Sequence, residues 1–327
     1  MKLNETFLLN RVKNALFSSR GNLISKGLGF FPLQINGFKF VKTIYVDKKV
    51  KMYEYAEYQN KKKEKAFAKV WFGQRKNNAY YWLKNETNIF SSARAANGNN
   101  RNLSFSLPKL YGIYENENTL ILLVEKIPNY KDEFPERVLI NIYNNALQFI
   151  RVFGSKINNN ARAKILNITP KLLLLSLPLL TVKSIKNRPD LWREILASSY
   201  FFLRNVRCLF NSRWDCLVHR DLRGSILLAQ GHYYIIDWQT VAFSSPLLEL
   251  AQLLMTYWEN DRLGFDVFRI DYAKKLLTSD LDLNCLNLLC IYLAFVEISL
   301  INIKTRSEEK TFLHYILDRR SSKQVNK

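Results

Sequence analysis

Apolar and polar positions change rhythm partway along the chain. Between residues 38 and 125 the apolar positions come in short runs with every-second-residue alternation; after residue 136 they recur at helical spacing. A period of two marks strands with one buried face, and a period near 3.6 marks helices. The string Met52, Tyr53, Glu54, Tyr55, Ala56, Glu57, Tyr58 alternates, and with residues 38–46 it predicts a first hairpin around Asp47, Lys48 and Lys49. Residues 66–72 predict a strand with one charged side chain, Lys69, inside an apolar run. Residues 78–90 predict a helix on which Tyr81, Leu83, Glu86 and Phe90 share parts of an inward face. The polar, Asn-rich stretch 93–106 reads as a loop. Residues 110–114 and 120–125 predict another hairpin, which closes at Glu125, Lys126, Ile127 and Pro128.

Helical patterns follow. They cover residues 136–153, broken at Asn158, Asn159 and Asn160, and then 191–210, with Asp190 after Pro189 as an expected N-cap. Residues 247–257, 266–277 and 286–303 are helical in pattern, as is a short amphipathic stretch at 4–17, while 319–327 form a polar tail. The apolar run 172–182, interrupted by Pro178, predicts a buried helix or turn; it is too short for the roughly 20 residues that span a bilayer. A second use for it is a patch at a membrane surface. One strand pair interrupts the helical region: Ile226–Leu228 and Tyr233–Ile236 flank Gln230, Gly231 and His232, a hairpin with a short glycine-bearing turn.

That hairpin carries the chemistry. Asp221 and Asp237 stand sixteen residues apart, each at the end of an apolar run. Folding the ribbon back brings both carboxylates to one end of it. Two acids held together can divide phosphoryl transfer, one orienting an attacking hydroxyl and the other holding Mg²⁺ on nucleotide phosphates. Lys69, for its part, is costly to bury without an anionic partner.

The strings VHRDLRGSILL (218–228) and YYIIDW (233–238) resemble the catalytic loop and metal-binding strand of the protein-kinase-like superfamily. Ile236-Asp237-Trp238 is similar to the Ile-Asp-Trp or Ile-Asp-Phe of its small-molecule branch: aminoglycoside phosphotransferases, choline kinases and lipopolysaccharide core kinases. Pro246 and Glu249 resemble that branch's Pro-containing turn and acidic helix start. Pro246 follows Asp237 by only nine residues, which leaves no room for a peptide-seating activation segment. The resemblance covers roughly residues 40–257. It implies a bilobal α+β fold, with an antiparallel-sheet lobe at 1–127 and a helical lobe at 128–327. It implies Asp221 as the hydroxyl-orienting group and Asp237 as a Mg²⁺ ligand, with Arg223 facing acceptor or phosphate. It implies Lys69 aimed at the α- and β-phosphates of ATP and paired with Glu86. A hinge at Glu125–Ile127 would read adenine through its backbone. His219 is expected to pack rather than react.

Two departures stand out. The superfamily's second metal ligand, an Asn five residues after the catalytic Asp, falls here on Ile226; a loop shorter by one residue would put Ser225 in that slot. Glu249 replaces the usual Asp that holds the catalytic-loop backbone. The expected turn at Asp47–Lys49 also lacks glycine, a departure that the small-molecule branch shares.

Composition narrows the rest. The 327 residues are 48% hydrophobic, enough for two packed cores and against wholesale disorder. Cys208, Cys216, Cys285 and Cys290 form no CxxC pair and read as reduced thiols. Charged residues break up the apolar positions of 1–20, so no secretory signal is expected, and the protein is placed in the cytoplasm, with a peripheral position at the inner membrane face left open. The net charge of +21 attracts polyanions, yet no nucleic-acid motif accompanies it, so nucleic acid is not expected to be the partner. Peripheral contact with an anionic membrane or glycolipid is compatible with the charge. Three functions remain: an ATP- and Mg²⁺-dependent phosphotransferase acting on a hydroxyl of a small molecule or glycolipid sugar, a catalytically weak or silent kinase-like nucleotide-binding module, and a basic polyanion-binding protein.

Overall fold

A computed structural model of the chain describes residues 31–44, 53–73, 75, 78–95, 105–134, 136–222, 224–260, 283–300 and 313. The expected helix at 4–17, the turn at 47–49, the helix at 266–277, the tail at 319–327 and Arg223 lie outside the described residues. The described chain forms two compact units. One gathers residues within 20–166 with 224–241, and the other gathers those within 167–223 and from 242 on.

The first unit is built on an antiparallel sheet. Its strands are β1 (Gln34–Ile35), β2 (Phe38–Ile44), β3 (Glu54–Gln59) and β4 (Lys65–Phe72); helix α1 (Asn78–Ala95) follows, then β5 (Phe105–Ser106), β6 (Leu110–Glu115) and β7 (Thr119–Glu125). The main sheet runs β1-β2-β3-β4-β7-β6, with β4 at its centre between β3 and β7. Alternation decides which side chains meet. Ala66, Ala68 and Val70 of β4 join Ala56, Tyr58, Ile121 and Leu123 in a core on one face. Phe67 and Lys69 therefore point to the other face, with Tyr55 and Glu57 of β3 and with Leu122 and Val124 of β7.

Helix α1 is longer than the sequence pattern suggests, and its inward face includes Tyr80 rather than Tyr81. Leu83, Glu86 and Phe90 are buried at spacings of three and four, whereas Tyr81 is half exposed. The stretch expected as one loop at 93–106 ends in a short strand: Phe105 and Ser106 pair in parallel with Tyr233 and Tyr234. Helices α2 (Glu136–Ser155) and α3 (Asn159–Arg162) complete this part of the chain. Asn158 does more than break a helix. Its side chain accepts from Ala161 N at 2.8 Å and so caps α3.

The chain next builds the second unit with α4 (Pro170–Asn187), α5 (Trp192–Asn205), α6 (Arg207–Asn211) and β8 (Cys216–Val218). It returns to the first unit for the hairpin β9 (Ile226–Ala229) and β10 (His232–Ile235). It then closes in the second unit with β11 (Ala242–Ser244), α7 (Pro246–Asn260) and α8 (Leu283–Leu300). In the β9–β10 hairpin Ala229 pairs with His232 across a two-residue turn. Gln230 and Gly231 both have positive φ, 53° and 76°, as a type I′ turn requires.

Thr169 caps α4 and Pro170 takes its first position, where a missing N–H costs nothing. The run 172–182 lies inside this helix, which continues through Pro178. It is not wholly buried: Leu175 and Val182 face outward. Asp190 sits in a 3-10 turn, Pro189–Leu191, rather than at an N-cap, and receives two hydrogen bonds from the Arg188 guanidinium at 2.8 and 2.9 Å. Helix α8 is apolar on nearly every side and is buried accordingly. It binds α4 through Ser176 Oγ and Tyr292 Oη at 2.8 Å and through Ser184 Oγ, which donates to Phe295 O at 3.1 Å. The second unit pairs β8 with β11, Leu217 opposite Phe243. Cys216, Cys285 and Cys290 are buried, and no disulfide joins any of the four cysteines. No helix among the described residues is long and apolar enough to cross a membrane.

Candidate active site

In the first unit, β4 delivers Lys69 to the sheet face opposite the core, and α1 meets it with Glu86. The amine lies 2.9 Å from Glu86 Oε2 and 2.6 Å from Asp237 Oδ1. It also sits 4.8 Å from the centre of the Tyr53 ring, whose hydroxyl donates to Ala79 O at 3.0 Å. The three charged side chains are not equally covered: Lys69 keeps 9% exposure and Glu86 4%, while Asp237 keeps 34%. Asp237 is thus the member of the trio that a ligand can reach.

Burial pulls the Lys69 amine down, but the Glu86 and Asp237 carboxylates outweigh it and hold the amine above its usual range. Burial likewise pushes Glu86 up, against the opposing pull of Lys69. The Lys69 ammonium is therefore a permanent cation near neutral pH.

Asp237 adopts a left-handed backbone conformation, φ 57° and ψ 53°, at the end of the β9–β10 ribbon. Asp tolerates this region better than most residues, though at some cost. Several bonds hold it there. Trp238 N donates to Glu86 Oε1 at 3.1 Å, and the buried Trp238 indole donates to Ile235 O at 2.9 Å. Asn85 Nδ2 reaches the carbonyls of Gln239 and Val241 at 3.2 and 2.9 Å. One carboxylate, Glu86, thus fixes both the amine of β4 and the turn that presents Asp237.

A cavity of about 640 Å³ opens beside these groups. Its lining includes the charged Lys69, Glu86 and Asp237, the apolar Phe67, Leu122, Val124, Leu227 and Ile236, and also Glu125 and Ile127. Apolar walls with a few convergent polar groups are the usual build of a small-molecule site. An exposed carboxylate beside a fixed ammonium suits a Mg²⁺–nucleotide, since Mg²⁺ is bound by one or two carboxylates together with phosphates and water. Asp237 fits that role.

Ser225 is buried at 3% exposure, and its carbonyl accepts from Ile236 N at 2.9 Å. It is not among the described residues that line the cavity, although its neighbours Gly224 and Leu227 are. An amide that the sequence pattern did not single out stands beside the carboxylate. Gln239 Nε2 lies 3.2 Å from Asp237 Oδ2, and Gln239 Oε1 lies 3.5 Å from Lys69 Nζ. Its one local signal is its position two residues after Asp237.

Asp221 belongs to the second unit, where its side chain is exposed. The loop before it is held by Glu249 of α7, whose Oε2 accepts from the backbone N–H groups of His219 and, at 2.7 Å, of Arg220. The glutamate thus reaches the loop backbone despite its extra methylene. His219 is fully buried, and Arg220 has a positive φ of 69°. Burial raises the Glu249 carboxyl to about 7, opposed by the two backbone donors and by the Arg220 charge.

The fold is protein-kinase-like: an α+β, bilobal arrangement of an antiparallel-sheet lobe and a mainly helical lobe. Among similar solved structures is a thermostable mutant of aminoglycoside phosphotransferase APH(4)-Ia in its apo form, at 11% identity and a TM-score of 0.53, covering 88% of this chain and 97% of that one. A ternary complex of that phosphotransferase with ADP and hygromycin B gives 10% identity and a TM-score of 0.55, covering 88% and 96%. Amicoumacin kinase hAmiN in complex with AMP-PNP, Ca²⁺ and Ami gives 13% identity and a TM-score of 0.51, covering 98% and 94%. At such identities the likeness is one of fold. No family model matches the sequence, and no curated protein sequence matches it.

Proposed function

We propose that the protein is an ATP- and Mg²⁺-dependent phosphotransferase that phosphorylates a hydroxyl of a small molecule or glycolipid sugar. The observation that carries this reading is the Lys69–Glu86–Asp237 constellation in the wall of the 640 Å³ cavity. In this reading Lys69 binds the α- and β-phosphates, and Asp237 holds the metal. The backbone of 125–127 reads the base. Asp221 orients the acceptor hydroxyl, and Arg223 faces acceptor or phosphate. The second metal ligand is Ser225 or the amide oxygen of Gln239. Solved structures of the same fold were obtained with ADP and hygromycin B and with AMP-PNP, Ca²⁺ and amicoumacin, which supports a nucleotide and a small hydroxyl-bearing acceptor for this chain as well. Positioning and charge neutralisation supply most of the catalysis in such chemistry.

The test is an ATP-dependent phosphorylation screen over aminoglycosides, choline-like alcohols and sugars, run with the wild type and with Asp221→Ala. Turnover with one acceptor class, falling at least a hundredfold in Asp221→Ala, is the expected result. Metal-dependent nucleotide binding with turnover equally low in both proteins would replace the enzyme by a silent nucleotide-binding module, the reading that the absent Asn motivates.

A further inference from the structure

The outer surface of the helices α4 and α5 has a composition that the nucleotide site does not explain. Fourteen large apolar side chains among the described residues are exposed, and seven of them fall between residues 175 and 210. On α5 they form a stripe: Trp192, Leu196, Tyr200 and Leu203, at spacings of four, four and three, are 46–61% exposed. On α4, Leu175 and Val182 lie two turns apart at 62% and 66% exposure, with the exposed Pro178 between them. Phe210, in α6, adds a further exposed ring.

These stripes lie opposite the packed faces. Ser176 and Ser184 of α4 bind α8, and Phe202 of α5 packs on Tyr292 of α8 with ring centres 6.4 Å apart. The two helices are tied to each other by Thr181 and Ser199, 2.9 Å apart. Each helix therefore turns one apolar stripe away from the partner it already has.

Cations frame the stripes. Lys171 and Lys186 are exposed one turn before Leu175 and one turn after Val182, and Arg193, Arg204 and Arg207 are exposed along α5 and at the start of α6. Residues 171–210 hold seven Lys and Arg against two acids, Asp190 and Glu194, a net of +5. Asp190 is already engaged by Arg188. The Arg193 guanidinium lies 5.2 Å from the centre of the Trp192 ring, a pairing that keeps an aromatic body and a charge side by side.

An occupant of this face must accept apolar side chains and supply negative charge along two helices at once. We propose that the outer face of α4 and α5 docks on an anionic lipid bilayer. Leucine, valine and the aromatic rings would enter the boundary between headgroups and acyl chains, while the lysines and arginines stay at the level of the headgroup phosphates. A second copy of the chain is a poorer fit, because it would bring the same cations face to face on a protein of net charge +21. This docking does not depend on the phosphotransferase reading, since no residue of the nucleotide site takes part in it.

The experiment is co-sedimentation of the full chain with vesicles of phosphatidylcholine alone and of phosphatidylcholine mixed with an equal part of phosphatidylglycerol. Binding to the mixed vesicles is expected to exceed binding to phosphatidylcholine at least tenfold. It should fall at least tenfold in the double variant Leu196→Asp, Leu203→Asp. The pair Arg204→Gln, Arg207→Gln, which leaves the apolar stripe intact, should weaken it several-fold. Tryptophan emission should shift to the blue on binding, and the shift should shrink in Trp192→Phe. Thermal midpoints of the variants, compared with the wild type, show that each is folded; if the Asp pair unfolds, the Gln pair and Trp192→Phe carry the test. Equal sedimentation with both vesicle types overturns the proposal. So does binding that survives the Asp pair in a folded protein, which would reduce the effect to charge alone. Light scattering that reveals a dimer broken by the Asp pair, without vesicle binding, assigns the face to self-association instead.

Discussion

Each unit contains a buried glutamate that organises a loop, and the two differ in what their oxygens meet. Glu86 divides its oxygens between an ammonium and a backbone N–H: Oε2 meets Lys69 at 2.9 Å and Oε1 meets Trp238 N at 3.1 Å. Glu249 gives Oε2 to two backbone N–H groups, while its Oε1 has no hydrogen-bond partner among the described residues. A full positive charge compensates the first carboxylate. Two backbone dipoles and the nearby Arg220 charge compensate the second only in part, and burial raises it to about 7. Breaking each anchor should therefore fail in a different way: the first by stranding a charge, the second by changing how stability depends on pH.

The largest effect is expected at Glu86. Glu86→Ala leaves Trp238 N without its acceptor and removes one of the two carboxylates that neutralise Lys69. Removing one partner of a buried pair costs about 3–5 kcal/mol. Chemical denaturation followed by far-UV circular dichroism should show a loss of that size. A loss near 1 kcal/mol would mean that Asp237 alone suffices for the amine.

Glu249 should show itself through pH. Its carboxyl is raised from 4.5 in the unfolded chain to about 7 in the folded protein, so the folded state binds the proton more tightly. Stability therefore falls as pH rises from 4.5 to about 7, by an amount on the order of 3 kcal/mol. Glu249→Gln keeps an acceptor for the His219 and Arg220 N–H groups but cannot ionise. Thermal midpoints measured from pH 5 to pH 8 should fall less steeply for this variant than for the wild type. Parallel profiles would show that Glu249 stays ionised throughout.

A smaller effect separates positioning from charge. Asn85→Ala removes two hydrogen bonds, to the carbonyls of Gln239 and Val241, and should cost about 1–2 kcal/mol. It should also weaken nucleotide binding by loosening the turn that carries Asp237. Unchanged affinity alongside lost stability would confine Asn85 to the fold.

The finest comparison is between Ser225 and Gln239. Gln239→Leu should weaken Mg²⁺-dependent ATP binding about tenfold, or roughly 1.4 kcal/mol, and Ser225→Ala by less than threefold. The opposite ranking, read by titration calorimetry, would return the second metal position to the serine hydroxyl.

What could be read from the sequence was local. The strand around Lys69 and the β9–β10 hairpin announce themselves through alternation and a glycine turn, and Lys69 is conspicuous because a lone charge in an apolar strand needs a partner. Helix α1 is legible as a helix, but which tyrosine faces inward is not: Tyr80 is buried and Tyr81 half exposed. Contacts that close over long separations left no such signal. Asn85 meets Gln239 and Val241 across more than 150 residues, and Phe105 finds its partner strand 128 residues later. Gln239 carries no sequence signal of its own, because an amide beside a carboxylate matters only once a turn has set them 3.2 Å apart. The outward stripe of α4 was hidden by its own composition, since an apolar run looks the same whether both of its faces are covered or only one.

The central claim is that Lys69, Glu86 and Asp237 together form a metal–nucleotide site. Titration calorimetry of ATP with and without Mg²⁺, comparing the wild type with Asp237→Asn, tests it most directly. Binding should be tighter with Mg²⁺ in the wild type, and at least tenfold of that gain should be lost in the variant. Equal ATP affinity in the two proteins, with or without the metal, would contradict it.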